Sequence, residues 1–226
     1  MEKEKILFCW SSGKDSALSI YEIKESGKYE ILSLLTTISD EYDRIFMHGV
    51  QRVLLERQAE SMGLPLIKIF VTSSPSNDEY EAKMHETLLA YKDKGVKTVG
   101  FGDIFLEDLR DYREDKLSRV NMKGLYPIWK RDSKELVNKF IDLGFKAIVT
   151  CVDSKVLDKS FVGRVIDEDF IKDLPENVDP CGENGEFHSF VFDGPIFKEK
   201  IKFTVGETVL RDTFYYCDLL PDLVRI

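Results

Sequence analysis

Ile6-Leu7-Phe8-Cys9-Trp10-Ser11-Ser12-Gly13-Lys14-Asp15-Ser16-Ala17 is the stretch on which the reading of this chain turns. The apolar run from Ile6 to Trp10 predicts a buried strand, the small residues after it a tight loop, and the pattern from Ala17 a helix. A strand, a loop and a helix in that order form a cradle for pyrophosphate. Backbone N–H groups at the helix start point into the loop, and the helix dipole favours an anion there. Ser11, Ser12 and Ser16 can donate further hydrogen bonds, Lys14 adds a cation, and Asp15 can hold Mg²⁺. The segment is not a Walker loop, because Phe8 stands where that motif has its first glycine and Asp15 follows the lysine. A plain strand-to-helix turn with an N-cap serine is the simpler alternative.

Outward from this loop, apolar runs alternate with helical periodicity, which predicts an α/β fold with an open, mostly parallel sheet flanked by helices. Strands are expected at 6–10, 31–36, 66–71 and 98–101. Helical stripes are expected at Ala17, Ile20 and Tyr21, at Val50, Val53 and Leu54, and at Tyr80, Met84, Leu88 and Tyr91. Gly27, Gly63 and Gly95 fit the left-handed positions that end these helices. A fourth helix over 106–121 would turn Leu109, Tyr112, Leu117 and Val120 inward, and another around Leu136 to Ile141 would stop at Gly144. A strand over 147–152 extends the α/β character. Beyond an irregular stretch at 173–184, alternating residues such as Phe187, Ser189 and Val191 predict a small antiparallel sheet. The expected division is a nucleotide-binding domain over 1–124 and a smaller C-terminal α+β substrate domain over 125–226.

The chain has 226 residues, 43% hydrophobic and 32% charged, with a net charge of −9, enough for a sizeable core. That acidity argues against general nucleic-acid binding, although Lys123, Lys130 and Arg131 could form a local basic patch. No apolar run approaches the ~20 residues of a membrane span, and the charged start, Met1 to Lys5, does not read as a signal peptide. A cytoplasmic location is expected. Cys9, Cys151, Cys181 and Cys217 are widely spaced, giving neither a zinc-ribbon pair nor a disulfide framework.

A second polar, glycine-bearing loop runs Asp179-Pro180-Cys181-Gly182-Glu183-Asn184-Gly185-Glu186-Phe187-His188. Gly102-Asp103-Ile104 and Thr36-Thr37 each follow a predicted strand, where open parallel sheets bind their ligands. Asp103 suits Mg²⁺ or the orientation of a nucleophile, and equally a helix cap. The Ser11–Ser16 segment resembles the SGGxDS loop of the PP-loop ATP pyrophosphatases. Ser12 stands where that family usually has its first glycine, and serine suits the turn provided Ser12 avoids positive φ. With Gly102-Asp103-Ile104, Met47-His48-Gly49, Pro127-Ile128-Trp129 and Pro180 to Ser189, nearly the whole chain resembles the diphthine–ammonia ligase branch of that superfamily.

The resemblance implies ATP-dependent formation of the amide of diphthamide on translation elongation factor 2, from diphthine and ammonium. An acyl-adenylate would form, and AMP and pyrophosphate would be released. It implies that Ser11, Ser12, Gly13, Lys14 and Ser16 hold the phosphates, that Asp15 and Asp103 position Mg²⁺, and that Thr36, Thr37, His48 and Gly102 lie near the nucleotide. Glu183, Glu186 and His188 would face the acceptor carboxylate or ammonia, and Trp129 the trimethylammonium group. Alternatives are the same chemistry on another carboxylate, a tRNA-thiolating enzyme using Cys181, and a non-catalytic nucleotide sensor. Cys181 and His188 also have purely structural readings as packing and loop-fixing residues.

Overall fold

Alternation within the first strand sets the layering. In the computed structural model, which describes residues 2–45, 49–72 and 77–222, β1 runs Glu4–Cys9. Ile6 and Phe8 enter one apolar core and Leu7 another on the opposite face, as the two-residue period of a strand requires. The strands that follow are β2 (Tyr29–Ser39), β3 (Arg44–Ile45), β4 (Leu66–Val71), β5 (Thr98–Gly100) and β6 (Lys123–Leu125). Parallel pairing gives the order β4-β2-β1-β5-β6, and the short antiparallel β3 folds back along β2 beyond the end of β1. Helices α1 (Lys14–Ser26) and α2 (Arg52–Met62) pack on the face of Ile6 and Phe8. Helices α3 (Asn77–Lys92) and α4 (Glu107–Ser118) pack on the face of Leu7.

The chain leaves β1 toward β2 and later returns from β4 to β5 on the opposite side. The carboxyl ends of β1 and β5 therefore flank the crevice where open parallel sheets bind ligands. Gly27, Gly63, Gly95 and Gly144 all have positive φ, as expected of helix stops. Tyr112, expected inward on α4, is instead 41% exposed.

The remaining elements are α5 (Ser133–Asp142), β7 (Lys146–Asp153), α6 (Glu168–Asp173), β8 (Phe187–Asp193), β9 (Phe203–Arg211) and β10 (Phe214–Pro221). Asp132 caps α5 by accepting the Glu135 N–H at 2.9 Å. The apolar strand expected over 147–152 is present as β7, but it does not extend the parallel sheet. It lies inside a second, antiparallel sheet ordered β8-β7-β10-β9. An unbroken apolar run marks burial on both faces and cannot say which sheet buries it. The two sheets share one core, and the Tyr21 ring of α1 meets Phe145 edge-on at 6.1 Å. Ser61 at the end of α2 donates to the Glu199 carbonyl at 2.7 Å and accepts the Glu199 N–H at 3.0 Å.

The basic patch considered at Lys123, Lys130 and Arg131 is neutralised by Glu4, Glu107 and Glu22 respectively. Among the described residues, no helix is long and apolar enough to cross a membrane.

Candidate active site

Gly13 stands at the N-cap position before helix α1 and, lacking a side chain, offers no cap, so the loop must settle its own donors. Ser11 Oγ and Ser16 Oγ lie 2.8 Å apart, and the Gly13 N–H reaches Ser11 Oγ at 3.3 Å. The Lys14 N–H donates to Ser189 Oγ of β8 at 3.2 Å, so the second sheet helps to close the loop. Ser12 has φ +71, contrary to the expectation that serine would avoid positive φ here. The left-handed conformation explains why a glycine suits this position.

The Lys14 side chain is buried and turned toward the second motif. Its Nζ lies 2.7 Å from Asp15 Oδ2, donates to the Cys181 carbonyl, and sits 5.3 Å from the centre of the Phe187 ring. Burial is the largest single influence and would lower its pKa; the attraction of Asp15, Cys181 and Glu183 together with the Asp15 hydrogen bond outweighs it, so Lys14 is held above its usual value as a cation. Burial pushes the Asp15 carboxyl up against the pull of Lys14.

The loop after β5 presses against the start of α1. A Cβ on Gly102 would stand 2.8 Å from Ser16 N and 3.0 Å from Asp15 C, both backbone atoms. Gly102→Ala is therefore expected to cost about 2 kcal/mol through forced backbone movement. A lowered denaturant midpoint with an unchanged m-value would show it. Asp103 pairs with Arg113 at 3.3 Å, and its carboxyl is raised by burial. Glu183 ties the second motif to this loop, because its Oε1 accepts the Ile104 N–H at 2.7 Å and the Phe105 N–H at 3.4 Å. Burial raises the Glu183 carboxyl to about 7 against the effect of the Ile104 hydrogen bond. Burial, reinforced by Lys14, lowers His188 to about 4, so its imidazole is neutral at physiological pH.

These segments enclose a cleft of about 630 Å³. Ser11, Gly13, Lys14, Asp15, Ser16, Thr36, Thr37, Gly102, Asp103, Glu183 and His188 all line it. Three predicted residues stand elsewhere. Ser12 is fully buried behind the loop. Glu186 turns back into its own loop, where it accepts the Asp179 N–H at 3.1 Å, the Asn184 N–H at 3.0 Å and Asn184 Nδ2 at 2.9 Å. Trp129 does not line the cleft, and the Arg110 guanidinium already lies 4.7 Å from its ring centre. His48 falls outside the described residues. The Cys181 thiol is buried, donates to the Ser133 carbonyl at 3.3 Å and is pushed up by burial, which suits packing rather than nucleophilic attack.

Arg113 is a cleft residue that sequence reasoning passed over, since it sits in the charged run Glu107-Asp108-Leu109-Arg110-Asp111-Tyr112-Arg113-Glu114 without a distinguishing signal. It also lines a second cavity of about 430 Å³ between α3 and α4. The cations of that cavity, Arg113, Lys116 and Arg119, are paired with Asp103, Glu81 and Asp115.

Among the described residues, no group of three or more His, Cys, Asp or Glu could hold a metal ion by itself. Mg²⁺ is usually bound through one or two carboxylates together with substrate phosphates. Asp103 Oδ2 is buried and lacks a hydrogen-bond partner among the described residues, and Asp15 lines the same cleft. The donor set fits a magnesium–nucleotide complex.

Comparison with known proteins covers most of the chain. The profile of the diphthamide synthase N-terminal domain matches residues 4–124, and that of the C-terminal domain matches residues 132–220. A Danio rerio protein named diphthine–ammonia ligase is 29% identical, with 89% of this chain and 87% of that protein covered. The Homo sapiens protein of the same name is 27% identical, with 89% and 83% covered. A Schizosaccharomyces pombe relative, again so named, is 28% identical; 95% of this chain matches 38% of that longer protein. The first profile alone covers more than half of the chain, the second takes up the antiparallel sheet, and both fall in the expected order: the chain belongs to the diphthamide synthase family.

Proposed function

We propose that this chain is a cytoplasmic, ATP-dependent ligase that converts diphthine on translation elongation factor 2 to diphthamide. The observation that carries this reading is the meeting of two distant motifs on one cleft. Lys14 of the nucleotide loop holds the Cys181 carbonyl, and Glu183 of the second loop holds the Ile104 amide beside Asp103. A nucleotide sensor needs the first loop but not the second. The shared name of the relatives supplies the acceptor and the nucleophile.

A carboxylate resists amination because its oxygen is a poor leaving group and ammonia is held as ammonium. In the proposed sequence one acceptor carboxylate oxygen attacks the α-phosphorus of ATP. The bond to the bridging oxygen breaks, and pyrophosphate leaves with that electron pair. Ammonia then adds to the acyl carbon, loses a proton, and AMP departs with the carbon–oxygen electrons.

Ser11, Ser16 and the Gly13 N–H hold the β- and γ-phosphates, with Ser12 contributing through its backbone. Lys14 supplies fixed positive charge behind the loop. Asp15 and Asp103 would hold Mg²⁺, which would supply positive charge to offset that of the phosphates. Thr36 and Thr37 flank the nucleotide. Glu183 accepts the proton of ammonium and the neutral His188 orients the acceptor. Glu186 shapes the loop that carries Glu183. Glu186→Ala is expected to spare ATP binding and slow amidation, with about 2 kcal/mol lost from stability because three donors lose their acceptor. An unchanged melting temperature together with slowed amidation would instead place Glu186 on the substrate.

Isotope transfer tests the adenylate. Heavy oxygen placed in the acceptor carboxylate is expected in the phosphate of the AMP released. AMP free of the label would exclude attack by that carboxylate on the α-phosphorus.

A further inference from the structure

Gln58 of α2 is fully buried beside Leu54, Leu55, Ala59 and Met62, where a helix facing the core ordinarily carries an apolar side chain. Its amide is hydrogen-bonded at both ends. Oε1 accepts the Trp10 indole N–H at 2.9 Å, and Nε2 donates to the Val191 carbonyl at 2.6 Å and to the Ser12 carbonyl at 3.2 Å. The Val191 N–H reaches the same Ser12 carbonyl at 2.9 Å. Ser12 is the residue with φ +71, and its own hydroxyl is buried without a hydrogen-bond partner among the described residues. The serine side chain therefore supplies no hydrogen bond to hold this conformation. Its carbonyl is held by two donors from distant parts of the chain.

Peptide planarity turns that grip into a functional geometry. In a trans peptide the C=O of one residue and the N–H of the next point in opposite directions. Pulling the Ser12 carbonyl back toward α2 and β8 sends the Gly13 N–H the other way, to the cleft side of the loop where Ser11 Oγ lies. We propose that Gln58 is a positioning residue: it fixes the Ser12–Gly13 peptide so that the Gly13 N–H faces a bound pyrophosphate group, and it registers that loop to the strand following the second motif. This rests on the reading that the β- and γ-phosphates occupy the loop.

Binding of pyrophosphate and of AMP to the full chain, measured by calorimetry, tests it. Gln58→Met keeps the length of the side chain and removes the amide. It is expected to weaken pyrophosphate binding about tenfold, the equivalent of one good hydrogen bond to an anion, and to leave AMP binding unchanged. Adding Ser12→Gly to Gln58→Met should restore much of the loss, because glycine adopts positive φ without help. Should Gln58→Met fail to fold, Ser12→Val bends the same peptide from the other side, since a β-branched residue resists positive φ. It should weaken pyrophosphate binding and spare AMP. A folded Gln58→Met protein with wild-type pyrophosphate affinity, or with equal losses for pyrophosphate and AMP, overturns the proposal. Failure of the wild-type chain to bind either ligand would overturn the nucleotide reading, and the proposal with it.

Discussion

Asp15→Ala is expected to abolish acceptor-dependent pyrophosphate release, with a loss of at least about a hundredfold in rate. Two causes act together. The variant removes a carboxylate assigned to Mg²⁺ at the point where charge develops on the leaving pyrophosphate. It also strips Lys14 of the partner 2.7 Å away while leaving that ammonium buried. An uncompensated buried charge costs about 3 kcal/mol, so the melting temperature should fall as well. Asp15→Asn separates the two causes. It preserves shape and a carbonyl acceptor for Lys14, so it should recover part of the stability but little of the activity. Near-normal pyrophosphate release in Asp15→Asn would remove Asp15 from the metal site.

The second large effect is expected at Glu183. Replacing it with glutamine keeps an acceptor for the Ile104 N–H but removes the carboxylate proposed as the base, and general-base catalysis contributes about a hundredfold or more. AMP formation by amidation should fall by that order, with ATP affinity little changed. Hydroxylamine, a nucleophile that is neutral without help at pH 7, should restore much of the rate in Glu183→Gln. Absence of rescue would mean that Glu183 does something other than remove a proton. The pH dependence follows from its environment, which raises the carboxyl from 4.5 to about 7. The folded state then binds this proton more tightly than the unfolded state. The contribution to stability is full below about pH 4.5 and is lost as pH rises through about 7, while base catalysis rises over the upper part of that range. Glu183→Gln should flatten both trends.

Much of this architecture is legible in the sequence because local chemistry and fold agree there. The strand, small-residue loop and helix around Gly13 announce themselves, as do the strand at Leu66–Val71 and the glycine stops. What escapes is set by distant partners. Glu183 and Glu186 are three residues apart in one loop and look alike as letters; only the folded loop turns one toward Ile104 and the other back on Asn184. Positive φ at Ser12 could not be read from a serine, since it depends on donors from α2 and β8. Gln58 looks like an ordinary polar residue of a helix until Trp10 and Val191 are placed against it. The sheet joined by β7 is likewise invisible, because its apolar run reports burial and nothing about neighbours.

The most direct measurement combines the full chain with magnesium ATP, ammonium and translation elongation factor 2 carrying diphthine, and reads the modified histidine by mass spectrometry. Conversion of the acid to the amide, with one AMP formed per amide, is the predicted result. Intact ATP binding with the acid left unconverted would contradict the assignment of this acceptor.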